Sequence, residues 1–423
     1  MTFKVFSLGC KVNSYECAAI SSMLLREGYK EADKTEPDVF IINTCSVTAT
    51  ADQKSRQHIR KFMKLYPNAV MVVMGCYAQG NADFIANEIK PHILVGTSHR
   101  NEIPALIKQY LETKTPIVMV DNNPRNYKYE DMGVTSYSEN TRAYLKIQDG
   151  CDNFCTYCLI PYRRGKMRSR NKDSVLEEAN YLVSQGYKEI ILAGIHVGGY
   201  GRDLDGVTFS DLVEELLNIP GLSSLRISSI EESEIDDKLI AMLGNKENLA
   251  KHLHIPLQSG SETVLKRMNR KYSPSEFLAK INKIKAIYPD LAFTTDVIVG
   301  FPNESEEEFV ETYEFIKACG FNQLHVFPYS AREGTAAAGM KGQIDPRIKN
   351  ERVQRLMELS KNQWDEYTSR FIGKEVEVLV ERYENNLNIG HTTNYIEVAI
   401  PSNEGKVGSK ISVKLQKDMI VSK

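Results

Sequence analysis

The sequence predicts an α/β protein in three parts: an N-terminal parallel-sheet α/β domain, a central partial (βα)6 barrel and a small all-β barrel at the C-terminus. Three observations predict it. Over residues 1 to about 110, short apolar runs alternate with amphipathic stretches, the pattern of a parallel sheet with crossover helices. A second strand–helix series begins at Ala143 and supplies six units, short of the eight that close a barrel. From about residue 371 the apolar period becomes two.

The elements follow in order. Lys4–Leu8, Asp38–Ile42 and Ala69–Met74 read as strands, with helices over Tyr15–Glu27 and Ala51–Leu65. The polar stretch with Asp121-Asn-Asn-Pro124 and Asn126–Glu130 reads as a linker. The central strands are Ala143–Ile147, Glu189–Ala193, Leu222–Ser228, Leu253–Leu257, Ala292–Val299 and Gln323–Tyr329, with helices such as Ser174–Gln185 and Ser275–Tyr288 between them. Pro346–Phe371 is one long charged helix. Glu375–Val380, Tyr395–Ile400 and Lys410–Leu415 form the final strands, punctuated by Gly390, Gly405 and Gly408. At roughly 150 residues per domain, 423 residues fit about three domains. The boundaries fall at 1–113, a linker 114–140, 141–370 and 371–423.

Composition narrows the function. Apolar residues at 42% and charged residues at 26% belong to a folded soluble chain. A net charge of −2 does not mark a nucleic-acid binder, so any RNA contact must come from local basic patches. No apolar run approaches the roughly 20 residues that span a bilayer, and the start does not read as a signal peptide, so a cytoplasmic protein without membrane contact is expected. Eight cysteines in a reducing compartment point to metal or catalysis rather than disulfides.

Cys151, Cys155 and Cys158 share one short run just after the first strand of the second series. Three thiolates on one loop can ligate three irons of a cubane that normally takes four, leaving one iron for a substrate. The alternatives are a zinc site or buried thiols; zinc would want a fourth ligand, and none follows within thirty residues, His196 being the first histidine after the run. Phe154 and Tyr157 would cover such a cluster from solvent. Cys10, Cys45 and Cys76 each follow a predicted strand of the first series, and side chains at neighbouring carboxyl ends converge on one crevice. Gly9 and Gly75 would let backbone approach a group bound there. Cys17 and Cys319 read as buried thiols.

The loop spacing in its βα context resembles the radical-SAM superfamily. Phe6-Ser-Leu-Gly-Cys-Lys-Val-Asn-Ser-Tyr-Glu16, Asn43-Thr-Cys-Ser-Val-Thr48 and Gly75-Cys-Tyr-Ala-Gln79 are similar to the methylthiotransferase N-terminal domain. Lys146–Cys151, Ile160–Gly165, His254–Ser261 and Thr295–Pro302 resemble its radical-SAM core, and the tail from about 371 resembles the TRAM RNA-binding module. Among the three branches of the family, which modify isopentenyladenosine, threonylcarbamoyladenosine or a ribosomal-protein aspartate, Leu8–Asn13 and Asn43–Lys54 resemble the threonylcarbamoyladenosine one. Thr48 and Ala49 stand where the isopentenyl branch carries an Arg-Glu pair, while Arg163 and Glu232 depart from the pattern without touching a proposed ligand.

The resemblance implies a transferase that methylthiolates the adenine C2 of threonylcarbamoyladenosine in the tRNA anticodon stem-loop. It implies two [4Fe–4S] clusters, on Cys10, Cys45 and Cys76 and on Cys151, Cys155 and Cys158, and two S-adenosylmethionine (SAM) molecules per product. It also implies an electron donor such as flavodoxin or ferredoxin, and a monomer. The C2–H bond is unactivated, so a cofactor radical must do the hard step while the protein orients the parts. Gly194, Glu231, Gln258 and Asp296 end barrel strands and are candidates for SAM binding. His252, His254 and His325 lie in strand patterns and read as core histidines. Arg163, Arg164, Lys166, Arg168 and Arg170 form one basic patch and Lys266, Arg267, Arg270 and Lys271 another; beside the cluster loop they are candidate RNA contacts. A non-catalytic iron–sulfur RNA sensor would keep the cysteines without a SAM pocket.

Overall fold

The computed structural model describes residues 1–33, 35–135, 137, 141–401 and 407–421; Gly405 lies outside them. The N-terminal sheet is wholly parallel and has six strands: β1 (Thr2–Ser7), β2 (Lys30–Glu31), β3 (Val39–Thr44), β4 (Val70–Gly75), β5 (Ile93–Val95) and β6 (Ile117–Met119), ordered β2-β1-β3-β4-β5-β6. β3 and β4 are buried along their whole length, which is why they read as unbroken apolar runs. The order reverses between β1 and β3, and there the outgoing loops separate and leave a crevice at the carboxyl ends. The first helix spans Lys11–Arg26, earlier than its apolar period suggests, with Cys10 as its N-cap. Asn13 on its first turn donates to Leu8 O at 2.6 Å and Thr44 O at 3.2 Å, tying the ends of β1 and β3 together.

The expected linker is not a tether. Its residues 117–119 are β6, paired to β5. Beyond them, Tyr129 Oη donates to Lys146 O at 2.8 Å, and the Glu130 carboxylate accepts from Arg100 Nε at 2.7 Å. A three-residue edge strand carries too little period to stand out against its polar surroundings.

The central part holds β7 (Arg142–Lys146), β8 (Gln148–Asp149), β9 (Arg168–Ser169), β10 (Glu189–Ala193), β11 (Ser224–Ile227), β12 (His252–His254), β13 (Ala292–Val299) and β14 (Gln323–Pro328). Two three-stranded parallel sheets, β7-β10-β11 and β12-β13-β14, run in chain order and meet at a Leu225–Leu249 bridge. β8 and β9 pair antiparallel and close the stem of the cysteine loop between them. Gly150 at that stem has φ +72°, and a Cβ there would lie 2.0 Å from Lys166 O, so only glycine fits.

The helix Pro346–Ser369 starts on an Asp345 cap and leads into β15 (Glu375–Glu384), β16 (Leu387–Thr392), β17 (Glu397–Pro401) and β18 (Lys410–Lys414). These form an antiparallel sheet in the order β17-β16-β15-β18, a half-barrel of four strands where the period predicted three. β16 was hidden by Asn388, Gly390 and His391, which interrupt its alternation. Trp364, Tyr367 and Phe371 at the helix end share a core with Val378, Ile396, Val398 and Leu415, so the sheet is seated on the helix rather than strung behind it. Among the described residues no helix is long and apolar enough to cross a membrane.

Candidate active site

Cys10, Cys45 and Cys76 follow β1, β3 and β4 and all line one cavity of about 580 Å³. Cys45 and Cys76 are each fixed by a local device. Cys45 N donates to Ser55 Oγ at 3.2 Å, and Ser55 Oγ returns a bond to Cys45 O at 2.9 Å. Cys76 opens the short helix Cys76–Gly80, whose Ala78 N donates to Thr44 Oγ1 at 3.2 Å. Gly9, at φ +98°, brings the backbone so close that a Cβ would lie 2.5 Å from Cys45 Sγ. Burial pushes the Cys45 thiol up to about 11 and raises Cys76 as well, so these thiols would be held ionised by a metal rather than by water.

A charge network backs this group. Arg164 Nε donates to Cys76 Sγ at 3.2 Å, while its Nη1 reaches Glu16 at 2.8 Å and Asp149 at 3.1 Å. Lys146 bridges the same two carboxylates at 3.0 and 2.7 Å. Arg100 joins Glu16 and Glu130, and Arg168 joins Asp149 at 3.3 Å. Burial would push the Glu16 carboxyl up, but Arg100, Arg164 and Lys146 override it and hold it well below the usual range. Four cations thus face three carboxylates, and the surplus positive charge points at Cys76 through Arg164. Three thiols, a close glycine backbone and a surplus cation suit a negatively charged iron–sulfur group.

The second triad sits on the loop. Asn153 N donates to Cys151 Sγ, Ile160 N to Cys158 Sγ and Arg270 Nη1 to Cys155 Sγ, each at 3.5 Å. The loop is pinned by Asn269 Nδ2 to Phe154 O at 3.0 Å and by Thr156 N to Met268 O at 3.0 Å. Phe154 takes φ +49° and stacks under Arg125 at 5.2 Å, and Tyr157 packs edge-on against Phe301. Burial pushes the Cys158 thiol up to about 12. His196 lies 3.9 Å from Cys151 Sγ through Nδ1 and 2.6 Å from Glu234 through Nε2. With thiol donors and inward N–H groups, this loop too could hold a cluster.

Two smaller cavities flank the loop. One, of about 210 Å³, is walled by Tyr157, Cys158, Gln258, Asp296 and Arg332. The other, of about 160 Å³, is walled by Cys155, His196, Glu231 and Arg270. The first shares Val47, Ile160 and Asp296 with the cavity of the dispersed cysteines, so the two triads open onto adjoining space. Gly194 lines that larger cavity, while the neighbouring N–H groups of Ile195 and His196 are taken by Gln148 Oε1 at 3.0 and 2.7 Å. Gln258 holds φ +64° between Asp296 O and Ile298 N.

The basic patches need correction. Arg164, Arg168 and Arg170 are buried, and Arg170 is paired to Glu178 at 2.6 Å, so none presents its charge to a phosphate. Arg270 is paired to Glu231 and Arg267 to Glu308. Lys166, Lys266 and Lys271 are the exposed cations of the two patches. His252, His254 and His325, read as core residues, all line the large cavity. Sequence reasoning quoted Lys11 within Leu8–Asn13 but gave it no role, because its place on that wall is set by the fold. Cys17 and Cys319 are buried thiols pushed up to about 12 by burial.

Residues 145–316 match the Radical SAM superfamily, and residues 2–96 match Uncharacterized protein family UPF0004. Threonylcarbamoyladenosine tRNA methylthiotransferase MtaB of Bacillus subtilis (strain 168) is 46% identical over 98% of this chain and 94% of its own length. The chain belongs to the radical-SAM methylthiotransferase family. A second relative in that family, tRNA-2-methylthio-N(6)-dimethylallyladenosine synthase of Acetivibrio thermocellus, is 35% identical over 97% of this chain and 87% of its own length. The fold has solved counterparts too. The radical S-adenosylmethionine methyltransferase TsrM of Kitasatospora setae superposes with a TM-score of 0.61 at 10% identity, over 80% of this chain and 77% of that one. A radical-SAM methylthiotransferase works with SAM and a [4Fe–4S] cluster, for which the loop thiols provide a fitting donor set.

Proposed function

We propose that this enzyme methylthiolates C2 of N6-threonylcarbamoyladenosine beside the tRNA anticodon, using two [4Fe–4S] clusters and two SAM per product. The adjoining cavities of the two cysteine triads, sharing Val47, Ile160 and Asp296, carry the reading. Cys151, Cys155 and Cys158 would hold the cluster that engages SAM, and Cys10, Cys45 and Cys76 the auxiliary one. Bound there, the clusters and SAM supply the one-electron chemistry and the sulfur and methyl groups that an unactivated C2–H demands. The chain's own residues do the rest. Arg164 and Arg270 set charge against the two triads. Tyr157 and Phe154 cover the loop from water. Gly194, Glu231, Gln258 and Asp296 wall the cavities where SAM would lie.

The tRNA substrate is supported by the relatives' names, and the threonylcarbamoyl branch by 46% identity against 35% for the dimethylallyl enzyme. Residues 1–113 would serve the auxiliary cluster, 141–370 the radical chemistry and 371–423 RNA as a TRAM module, helped by Lys166, Lys266 and Lys271. A monomer receiving electrons from a flavodoxin or ferredoxin completes the proposal. The test is anaerobic reconstitution with SAM, reductant and sulfide, on tRNA with and without threonylcarbamoyl, reading nucleosides by mass. The methylthio product is expected only with threonylcarbamoyl; equal product on isopentenylated tRNA, or product only on ribosomal protein, overturns the assignment.

A further inference from the structure

The large cavity is lined by more than the dispersed cysteines. From the dispersed cysteines it runs past Ser228, Thr294 and Asp296 to His252 and Tyr395, at the start of β12 and in the turn before β17. Tyr395 takes φ +67° and stacks on His252 at 4.4 Å and 9°, with Arg226 at 5.2 Å from its ring. The C-terminal sheet therefore closes the far end.

The charges along this cavity are unequal. Asp296 is 3.4 Å from His254 Nε2, and His254 Nδ1 bonds Thr294 Oγ1 at 2.9 Å. Arg164 is fully engaged by carboxylates and Cys76. Lys11 differs: it is exposed to the cavity, and among the described residues its ammonium has no ion pair or hydrogen bond. An unpaired cation on a cavity wall is a receptor for an anion.

We infer that this cavity receives the N6 substituent of the target adenosine and that Lys11 binds the substituent's carboxylate. The inference rests on the proposed function and names what selects the substrate. N6 and C2 lie on the same edge of adenine, so a base that offers C2 to the cysteines turns its N6 substituent into this cavity. Lys11 directly follows Cys10, so the contact that reads the charge lies beside the dispersed thiols. A neutral substituent would cover the ammonium without pairing it, which is how a polar site rejects an analogue lacking the partner group.

The experiment uses reconstituted holoenzyme and fluorescent anticodon stem-loops carrying threonylcarbamoyl as the free acid or as its methyl ester. Wild type should bind the acid roughly tenfold or more tighter than the ester, with the difference in KM rather than kcat. Lys11→Met should bind both alike, and Lys11→Arg should restore the preference, with iron content and melting temperature unchanged. Equal binding of acid and ester by wild type, or an undiminished preference in Lys11→Met, overturns the inference while leaving product formation on threonylcarbamoyl RNA intact. No product from wild type on either RNA overturns the substrate reading and this inference together.

Discussion

The two cysteine triads reach similar chemistry by opposite routes. Cys151, Cys155 and Cys158 share one loop, closed by the β8–β9 ribbon and pinned by neighbouring side chains. Cys10, Cys45 and Cys76 come from three strands, and the arginine that touches Cys76 comes from the central part of the chain, just after the cysteine loop. The loop triad is specified by local sequence. The dispersed triad exists only when the sheet has its order and the two halves are docked. Loss of a loop thiol should therefore stay local, while breaking the charge network behind the dispersed triad should reach the fold.

Activity gives the largest expected contrast. Cys155→Ala should abolish SAM cleavage and product together. Cys76→Ala should abolish the methylthio product, halve the iron and leave SAM cleavage running. Iron analysis and chromatography of SAM products read both, and loss of SAM cleavage in Cys76→Ala would dissolve the distinction.

Stability comes next. Arg164→Met strands the buried carboxylates of Glu16 and Asp149, so the metal-free protein should lose about 3–5 kcal/mol in urea unfolding. Arg164→Lys should recover part of it. A loss below about 1 kcal/mol would mean that the network is not continuous across the halves.

The smallest effect lies behind the loop triad, where Glu308 caps its helix and pairs with Arg267, whose carbonyl accepts from Thr156 Oγ1 at 2.9 Å. The hydrogen bond from Arg267 holds the Glu308 carboxyl down to about 2, against a free value of about 4.3. Its contribution is therefore complete above about pH 4.3 and is lost as pH falls toward 2. Because the pair is only partly buried, Glu308→Gln should cost about 1 kcal/mol at pH 7, with the two proteins converging in acid. Urea midpoints across pH check this.

What the sequence made legible follows the same division. The loop spacing and the strand-end cysteines could be read because each sits on a local pattern. Strands β5 and β6 could not, since three residues carry too little period. Arg164, Arg168 and Arg170 looked like an RNA face because their counter-charges Glu16, Asp149 and Glu178 are distant or unmarked in sequence. Burial is a property of the docked halves, and no charge run reveals it. Lys11 was given no role for a related reason: its meaning lies in the space around it.

Glu16 on the first helix and Asp149 on the cysteine-loop stem grip the same guanidinium. A chimera that joins residues 1–113 of this enzyme to the core of a relative would have to import a matching arginine and lysine along with the seam. Without them, the graft would bury ionised carboxylates with nothing to neutralise them. The two halves are therefore expected to be inherited as a pair.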